Sequence, residues 1–427
     1  RAAKVSVVFG LFLIPFFYFL FAQKNKALKI LTAFLLAFSF LAGLFLFYLL
    51  FVSDSFVQKL FVKIVGSKAR IVVWEGAFKN FLERPILGYG LENFEVIFPK
   101  HFHPCLFVQE CGGEIWFDRA HNFLFDQLIS GGIFGFLFYL LTFLAAFWVL
   151  LKKYYAKEIS FFTFANFSCL FCAFLLQNLT VFDMPASLLM LFFTLGFVNH
   201  FTGTQKKEKA PKFSTPSPNP FLIFLLACLF SLSFFFFVIK PLKSDLNFLS
   251  ALKTQDSTKR LELLKNIFQS TAFGRYQYRE HYFYILSNNP RSVEELNFLE
   301  SELEKSTKES PQDLKAKLYL GQLKLLKGEL TAAEKLFMEA LALSPNHQQV
   351  LWALSELKFN QGKKEEAIAL AQKAVNLEPR LLKAHLVLIS LAKEAGNESL
   401  AKQKIKEALK INPTWKEELQ KLLPPGG

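Results

Sequence analysis

Charge is scarce in long stretches of this sequence. Only 20% of the 427 residues are charged, whereas 52% are hydrophobic and phenylalanine alone occurs 54 times. Apolar runs of about 18 or more residues are too long for ordinary core helices and match the thickness of a bilayer. This composition excludes a wholly soluble globular protein and predicts several membrane-spanning helices.

The sequence also lacks an initial methionine and a signal-peptide cleavage site. It begins with Arg1 and runs almost directly into an apolar segment at residues 5–22. A secretory signal peptide ends in a small-residue cleavage site, so we interpret this segment as a membrane span. We expect the sequence to be a fragment that begins partway through a larger membrane protein.

Acidic residues are fewer than basic ones, 35 against 49, which gives a net charge of +14. In a soluble protein this excess would suggest a nucleic-acid partner. No basic groove with stacking aromatic residues accompanies it here, and many of the lysines lie in short loops between apolar runs. We therefore expect no nucleic-acid binding and interpret these lysines as signals of membrane orientation.

The apolar runs predict six spans, at residues 5–22, 28–52, 133–151, 161–181, 186–201 and 220–240. The lysine-bearing loops 23–29, 152–160 and 202–219 then lie on one side, which the positive-inside rule makes cytoplasmic. The long loop 53–132 and all residues after 240 lie outside the cytoplasm. The predicted domains are a membrane domain at 1–240, an irregular helical connector at 241–310 and a repeat domain at 311–427.

Cysteine and metal-ligand signals are weak. Cys105 and Cys111 lie in the outer loop, where a disulfide is permitted, and both the bonded and the free state stay open. His101 and His103 flank a single residue and have no obvious third ligand. We expect neither a metal nor any other cofactor.

Two helical patterns open the outer loop. Residues 56–65 place apolar side chains on one face and lysines off it, which predicts a helix lying on membrane lipid. Arg70 and Trp74 then share one face of a second helix. Arg84, near the end of that helix, is interpreted as a surface charge.

A glycine turn follows, in the sequence PILGYGLENF at residues 85–94. Pro85 ends the helix, and Gly88 and Gly90 allow a tight turn in which the backbone can approach another group closely. Exposed backbone N–H groups in such a turn would suit a diphosphate. An ordinary turn without a ligand explains the spacing equally well.

A 34-residue period dominates the C-terminal part of the chain. The repeating positions are Pro311, Pro345, Pro379 and Pro413; Gly328, Gly362 and Gly396; Ala333, Ala367 and Ala401; Ala340, Ala374 and Ala408. The period, with small residues where paired helices cross, resembles tetratricopeptide repeats over residues 311–413. Gly321 and Phe337 fit the first repeat, whereas Ser355 and Ile389 stand at the glycine position later. Stacked helix pairs form a concave surface, which implies a protein or peptide partner, or self-association.

The segment Arg119–Gly135, RAHNFLFDQLISGGIFG, places an arginine and a histidine just before a membrane helix. Its specific part is His-Asn, nine residues, glycine, two residues, glycine. Together with Arg70-x-x-x-Trp74 and the PILGYG turn, this pattern resembles the O-antigen ligase and polymerase superfamily over residues 28–201. The expected fold class is therefore all-α: a polytopic membrane helical bundle followed by a tetratricopeptide solenoid.

The resemblance implies a protein of the cytoplasmic (inner) membrane that transfers a glycan from a polyprenyl-diphosphate lipid to an acceptor hydroxyl on the outer face. It implies no metal and no nucleotide sugar. His121 is the candidate general base, since imidazole titrates near neutral pH. Arg70 matches the arginine ahead of the tryptophan and suits the charge of a departing diphosphate. The candidate substrate-binding residues are Arg119, Asn122, Gly88 and Gly90.

Two questions stay open at this point. Family members usually have further spans ahead of this region, with at least one more arginine, so we expect the site of this chain to be incomplete. O-antigen ligases, polysaccharide polymerases and protein O-oligosaccharyltransferases share the pattern and differ in the acceptor; the appended repeats favour a protein acceptor or partner.

The competing hypothesis is a non-enzymatic membrane scaffold, which would not need His121, Arg70 and the glycine turn together.

Overall fold

The fold is taken from a computed structural model that describes residues 68–179, 181–202, 219–270, 274–288 and 292–422, with scattered positions between 13 and 41. Most of the predicted spans 5–22 and 28–52, the lipid-facing helix at 56–65 and the lysines of loop 202–219 lie outside the described residues. Across the described ranges the secondary structure is helical and contains no strand, which confirms the all-α fold class. The chain forms two compact units, Arg1–Thr204 and Gln205–Gly427.

In the described part of the first unit, four helices position the site. They are α1 (Lys68–Glu83), α2 (Phe123–Tyr155), α3 (Phe161–Asn178) and α4 (Pro185–Thr202). Helices α2 and α3 are long and apolar enough to cross a membrane, and α4 carries a shorter apolar stretch. Three of the predicted spans, 133–151, 161–181 and 186–201, therefore coincide with apolar helices.

Phenylalanine rings form the core between these helices. Phe143 and Phe164 are buried and pack with Phe171 of α3 and with Phe17. Large side chains on the outer surfaces of the helices remain exposed, among them Phe138 and Trp148 of α2. An apolar exterior around an apolar core is the arrangement that a lipid environment stabilises.

The second unit begins with one long helix, α5 (Pro220–Lys253), which contains a π-helical turn at Phe235–Ile239. Its apolar stretch is not buried by the rest of the protein, so lipid is the environment that would cover it. The predicted span 220–240 lies inside this helix. The helix continues past residue 240, the predicted end of the membrane domain, and includes Lys240 and Pro241.

Residues 241–310 are more regular than the sequence pattern indicated. They form the end of α5, then α6 (Ser257–Ser270), α7 (Arg275–Asn288) and α8 (Val293–Glu309). Buried ion pairs hold these helices together: Arg260 donates two hydrogen bonds to Glu295, at 2.6 and 2.9 Å, and both side chains are fully buried. Buried apolar side chains such as Leu264, Ile267 and Leu299 pack beside this ion pair, so the helices share a mixed apolar and ionic core.

The repeats form three further helix pairs. The helices are α9 (Leu314–Leu326), α10 (Leu330–Leu343), α11 (Gln348–Asn360), α12 (Lys364–Leu377), α13 (Leu382–Glu394) and α14 (Glu398–Ile411), followed by the short α15 (Lys416–Gln420). Gly321 lies where α9 crosses α10, since a Cβ there would meet the ring of Phe337 at 2.5 Å. Leu419 of α15 is buried against the last pair and covers its apolar end. This arrangement is a tetratricopeptide-like solenoid.

The alanines at the helix crossings provide a test of this packing. Ala367 is fully buried, whereas Ala369, two residues later on the same helix, is exposed. Ala367→Trp should lower the free energy of unfolding by about 1–3 kcal/mol or more, because a large ring must be forced into a filled crossing. Ala369→Trp is the matched control and should change it by less than about 0.5 kcal/mol. Thermal unfolding followed by circular dichroism on residues 256–427 expressed alone measures both; equal effects would contradict the assigned crossing.

Candidate active site

Helix α2 begins at a capped N-terminus in the His-Asn pair. Asn122 is buried, and its side-chain oxygen accepts a hydrogen bond from the Leu124 amide at 2.9 Å. Asp126, one turn into the helix, accepts a hydrogen bond from the Ala120 amide at 2.8 Å. These two side chains fix the direction in which the preceding residues, including His121, enter the helix.

Helix α2 is broken at Gly132, whose backbone has φ 61° and ψ −159°. A break leaves carbonyls before it and amides after it without helical partners. The PILGYG turn supplies those partners. Tyr89 and Gly90 donate their amides to the carbonyls of Ile129 and Ser130, at 2.7 and 2.9 Å, and Ile133 donates to the carbonyl of Pro85 at 2.8 Å.

This pairing corrects one prediction. The amide of Gly90 is donated to α2, and the amide of Gly88 is donated to the Arg84 carbonyl at 3.1 Å. The prediction that these N–H groups are exposed for a diphosphate is therefore wrong. Both residues have positive φ, and a Cβ on Gly88 would lie 2.3 Å from the Ile129 carbonyl oxygen. Glycine is required at position 88 for backbone contact, which the sequence pattern could not distinguish from ligand contact.

Helix α1 is attached to the same region through Trp74. The indole Nε1 donates to the Ala120 carbonyl at 2.8 Å, and the ring stacks on Phe125 with centroids 5.9 Å apart. Arg70 lies one helical turn before Trp74 and is partly exposed. Arg70 therefore lies on the same helix as Trp74, and Trp74 contacts Ala120, the residue before His121.

His121 has an unusual backbone conformation. Its φ is +55°, in the left-handed region that residues with a Cβ rarely adopt. Its ring packs between Phe117 and Phe182, with centroid distances of 6.4 and 5.1 Å. Arg119 also lies over Phe182, its guanidinium 5.2 Å from the ring centroid, and its Nη2 donates to Glu92 at 2.6 Å. Phe182 thus brings Arg119 and His121 to one point of the structure.

A cavity of about 500 Å³ opens beside this point. Its polar lining comes from the loops and from α2, and its apolar lining comes mainly from α2 and α4, with Leu91 and Phe94 from the outer loop. The polar lining residues used below are Glu92, Arg119, Asp126, Tyr139 and Asp183. His121 and Arg70 are not among the described residues that line it. A cavity with one polar and one apolar wall suits an amphiphilic ligand.

Two carboxylates of this cavity were missed by the sequence reasoning. Asp183 accepts hydrogen bonds from the Tyr139 hydroxyl, at 3.2 Å, and from the Asn178 amide. Burial raises the pKa of Asp183, although the Tyr139 hydrogen bond and the Arg119 charge act in the opposite direction. Asp126 has a buried Oδ2 without a hydrogen-bond partner in the described ranges. The available signal was a carboxylate next to an apolar span, which is costly and often functional.

The rest of the outer loop forms short helical turns that contact the end of α1. Cys105 and Cys111 form a disulfide between two short helical turns, Pro104–Phe107 and Gln109–Cys111. Glu83 at the end of α1 accepts hydrogen bonds from Lys100 and from His101, the latter at 2.9 Å. Partial burial raises the pKa of Glu83, but these hydrogen bonds outweigh it and lower the pKa to about 2. His101 is therefore hydrogen-bonded to Glu83. The described residues contain no group of three metal ligands.

Comparisons with known proteins match two parts of the chain. The O-antigen ligase family matches residues 1–140, and a tetratricopeptide repeat family matches residues 325–380. The chain is similar to solved structures of MamA: "MamA MSR-1 C2" shares 19% identity over 41% of this chain and 98% of its own, with a TM-score of 0.31. MamA from Desulfovibrio magneticus RS-1 shares 17% identity over 40% of this chain and 96% of its own, with a TM-score of 0.33. No curated protein matches the chain.

Proposed function

From a membrane segment that matches the O-antigen ligase family and a repeat segment that matches tetratricopeptide repeats, we propose that the chain transfers a glycan from a polyprenyl-diphosphate donor to an acceptor hydroxyl. The reaction takes place on the outer face of the cytoplasmic membrane. The acceptor oxygen forms a bond to the anomeric carbon of the glycan. The bond from that carbon to the phosphate oxygen breaks, and the polyprenyl diphosphate leaves with the electron pair.

The observation that carries the proposal is the backbone of His121. A left-handed conformation at a residue with a Cβ costs about 1–2 kcal/mol and persists only where the surroundings impose it. Here the buried cap at Asn122 and the Trp74 hydrogen bond to Ala120 impose it on both sides. In the proposed reaction the imidazole of His121 takes the proton of the acceptor hydroxyl as the new bond forms.

Guanidinium groups would bind the leaving diphosphate. Arg119 lines the cavity directly, and its partner Glu92 is exposed, so a diphosphate could replace that carboxylate as the acceptor. We assign Arg70 the same role because α1 presents it next to Trp74 and the His121 loop. The apolar residues of α4 that line the cavity, such as Leu188 and Phe192, would contact the first isoprene units.

Arg70→Lys tests the diphosphate assignment. An ammonium keeps the charge but loses the bidentate geometry of the guanidinium. The loss of one charge-assisted hydrogen bond costs about 1.5–3 kcal/mol, so we expect the rate of transfer to fall by about tenfold or more. Arg84→Lys is the matched control, since Arg84 lies over Tyr89 at 4.8 Å outside the proposed site, and its rate should stay at the wild-type level. The measurement is transfer of lipid-linked glycan to acceptor in membranes carrying the full-length protein. Equal rates in both variants would contradict the assignment.

A second function is favoured by the second unit. Its solenoid has a cavity of about 750 Å³ on one face, and we infer that this face recruits a protein, either the acceptor itself or a partner, on the outer side of the membrane. A scaffold without catalysis would keep this recruitment and lose the transfer. If substitutions at His121 and Arg70 both leave transfer unchanged, the scaffold is the better description of the chain.

A further inference from the structure

The cavity of the second unit is a groove built from one helix of each successive pair. Its lining comes from α7, α9, α11 and α13, so that three helix pairs of the repeat domain and the preceding α7 contribute to one floor. A second cavity, of about 520 Å³, shares Tyr284 with the first and extends the groove toward Asp245 of α5. A groove of this extent matches a chain in an extended conformation better than a compact small molecule.

Aromatic rings form one part of the groove. Phe283 and Tyr319 stack with centroids 4.5 Å apart and planes 7° from parallel, and the hydroxyls of Tyr284 and Tyr319 are 2.6 Å apart. Trp352 lies beneath the ammonium group of Lys383, at 4.9 Å from the ring centroid. These contacts hold the rings in place before any ligand binds, which lowers the entropy cost of binding an apolar side chain.

Two carboxylates form the other part. Glu356 of α11 and Glu394 of α13 both line the groove. Neither carboxylate forms a salt bridge with any of the described residues. By contrast, Glu300, Glu334 and Glu339 of the same unit each pair with a lysine. Desolvation and the neighbouring charge of Glu394 raise the pKa of Glu356. Two like charges held together in a groove are complementary to a cation.

Amide side chains lie between these two parts. Gln322, Gln349 and Asn360 line the groove and offer both donors and acceptors. An extended peptide presents one N–H and one C=O per residue, which such amides can pair with. The groove therefore combines a site for an apolar side chain, partners for a peptide backbone and an unneutralised pair of carboxylates.

We propose that this groove binds an extended segment of another protein that carries a lysine or arginine, with the cation between Glu356 and Glu394 and a neighbouring apolar side chain against the more accessible rings of Phe283 and Tyr284. The proposal rests on the recruitment function given above and names the chemistry of its partner. A neutral or acidic glycan would leave the two carboxylates without a counterion. A peptide with acidic residues would be repelled by them.

The experiment measures binding to the full chain purified in detergent. The probe is a fluorescent peptide of serines and alanines with one central lysine flanked by leucines, and the matched probe has glutamate in place of the lysine. We expect the lysine peptide to bind the wild type at least about tenfold more tightly than the glutamate peptide. The double variant Glu356→Gln with Glu394→Gln should bind the lysine peptide about tenfold more weakly. Glu365→Gln, an exposed glutamate on α12, should bind as the wild type does.

Several outcomes would overturn the proposal. They are the absence of binding to the wild type, equal binding by the double variant, and preference for the glutamate peptide. Binding of maltoheptaose that is lost in Trp352→Ala, without peptide binding, would assign the groove to a glycan instead. His121→Ala should bind the lysine peptide normally, so failure of this proposal and failure of the transferase proposal are separate results.

Discussion

His121→Ala should reduce glycan transfer by about 10²–10⁴-fold, the usual cost of losing a general base. The variant should leave folding intact, because alanine accepts the imposed backbone conformation at a cost similar to that of histidine. The His121 ring contacts Phe117 and Phe182, and only part of that packing is lost. Transfer of lipid-linked glycan in membranes at matched expression of the full-length protein measures the effect.

His103→Ala is the matched control for this experiment. His103 lies in the same loop and is exposed, and its Nδ1 accepts a hydrogen bond from the Cys105 amide at 3.1 Å. We expect its transfer rate to remain near that of the wild type. A wild-type rate in His121→Ala would end the catalytic interpretation of the segment. Inhibition by chelators would also count against it, because no step of the proposed reaction uses a metal.

Gly132→Ala should disrupt the junction between the PILGYG turn and α2 and abolish transfer. A Cβ at this position would lie 2.3 Å from the Ile86 carbonyl oxygen, which is backbone and has little freedom to move. Its backbone, with φ 61° and ψ −159°, lies in a region that is essentially confined to glycine, which adds strain of about 1–3 kcal/mol, and overpacking adds about 1–3 kcal/mol. The sum is about 2–6 kcal/mol, enough to release the turn from the helix.

Gly131→Ala gives the control for Gly132→Ala at the adjacent residue. Among the described residues, no atom beyond the adjoining residues and backbone of the helix lies within 4 Å of the Cβ that would be added at Gly131, so this variant should be neutral in both stability and transfer. Thermal unfolding of the purified chain and transfer in membranes give the two readouts. If the two variants unfold at the same temperature and transfer at the same rate, the break at Gly132 does not hold the site together.

The sequence was sufficient to predict the membrane helices and the repeats. The spans near 133–151 and 161–181 could be predicted because a bilayer demands a long apolar run. The solenoid could be predicted because small residues recur where helices cross, as at Ala333 and Ala367. Both features depend on chemistry that is local in sequence or repeats at a fixed period.

The site was less predictable because it depends on tertiary contacts. Gly88 was predicted from its turn, but what requires glycine there is the close approach of the Ile129 carbonyl, about 40 residues later. The strained backbone of His121 follows from contacts on either side of it and leaves no trace in composition. Asp183 joins the cavity only through the packing of Tyr139 and Asn178 around it. None of these contacts repeats, so no pattern in the sequence reports them.

The break in α2 has an electrostatic consequence. The amino end of a helix carries a partial positive charge that commonly attracts phosphates. Here the membrane-crossing half of α2 begins at Ile133, whose amide is already bonded to the Pro85 carbonyl, and the first half begins beneath the side chains of Asn122 and Asp126. At both amino ends, amides that would otherwise face an anion are therefore already bonded within the protein. In the proposed reaction this leaves the binding of the diphosphate mainly to guanidinium side chains, whose charge does not vary over physiological pH.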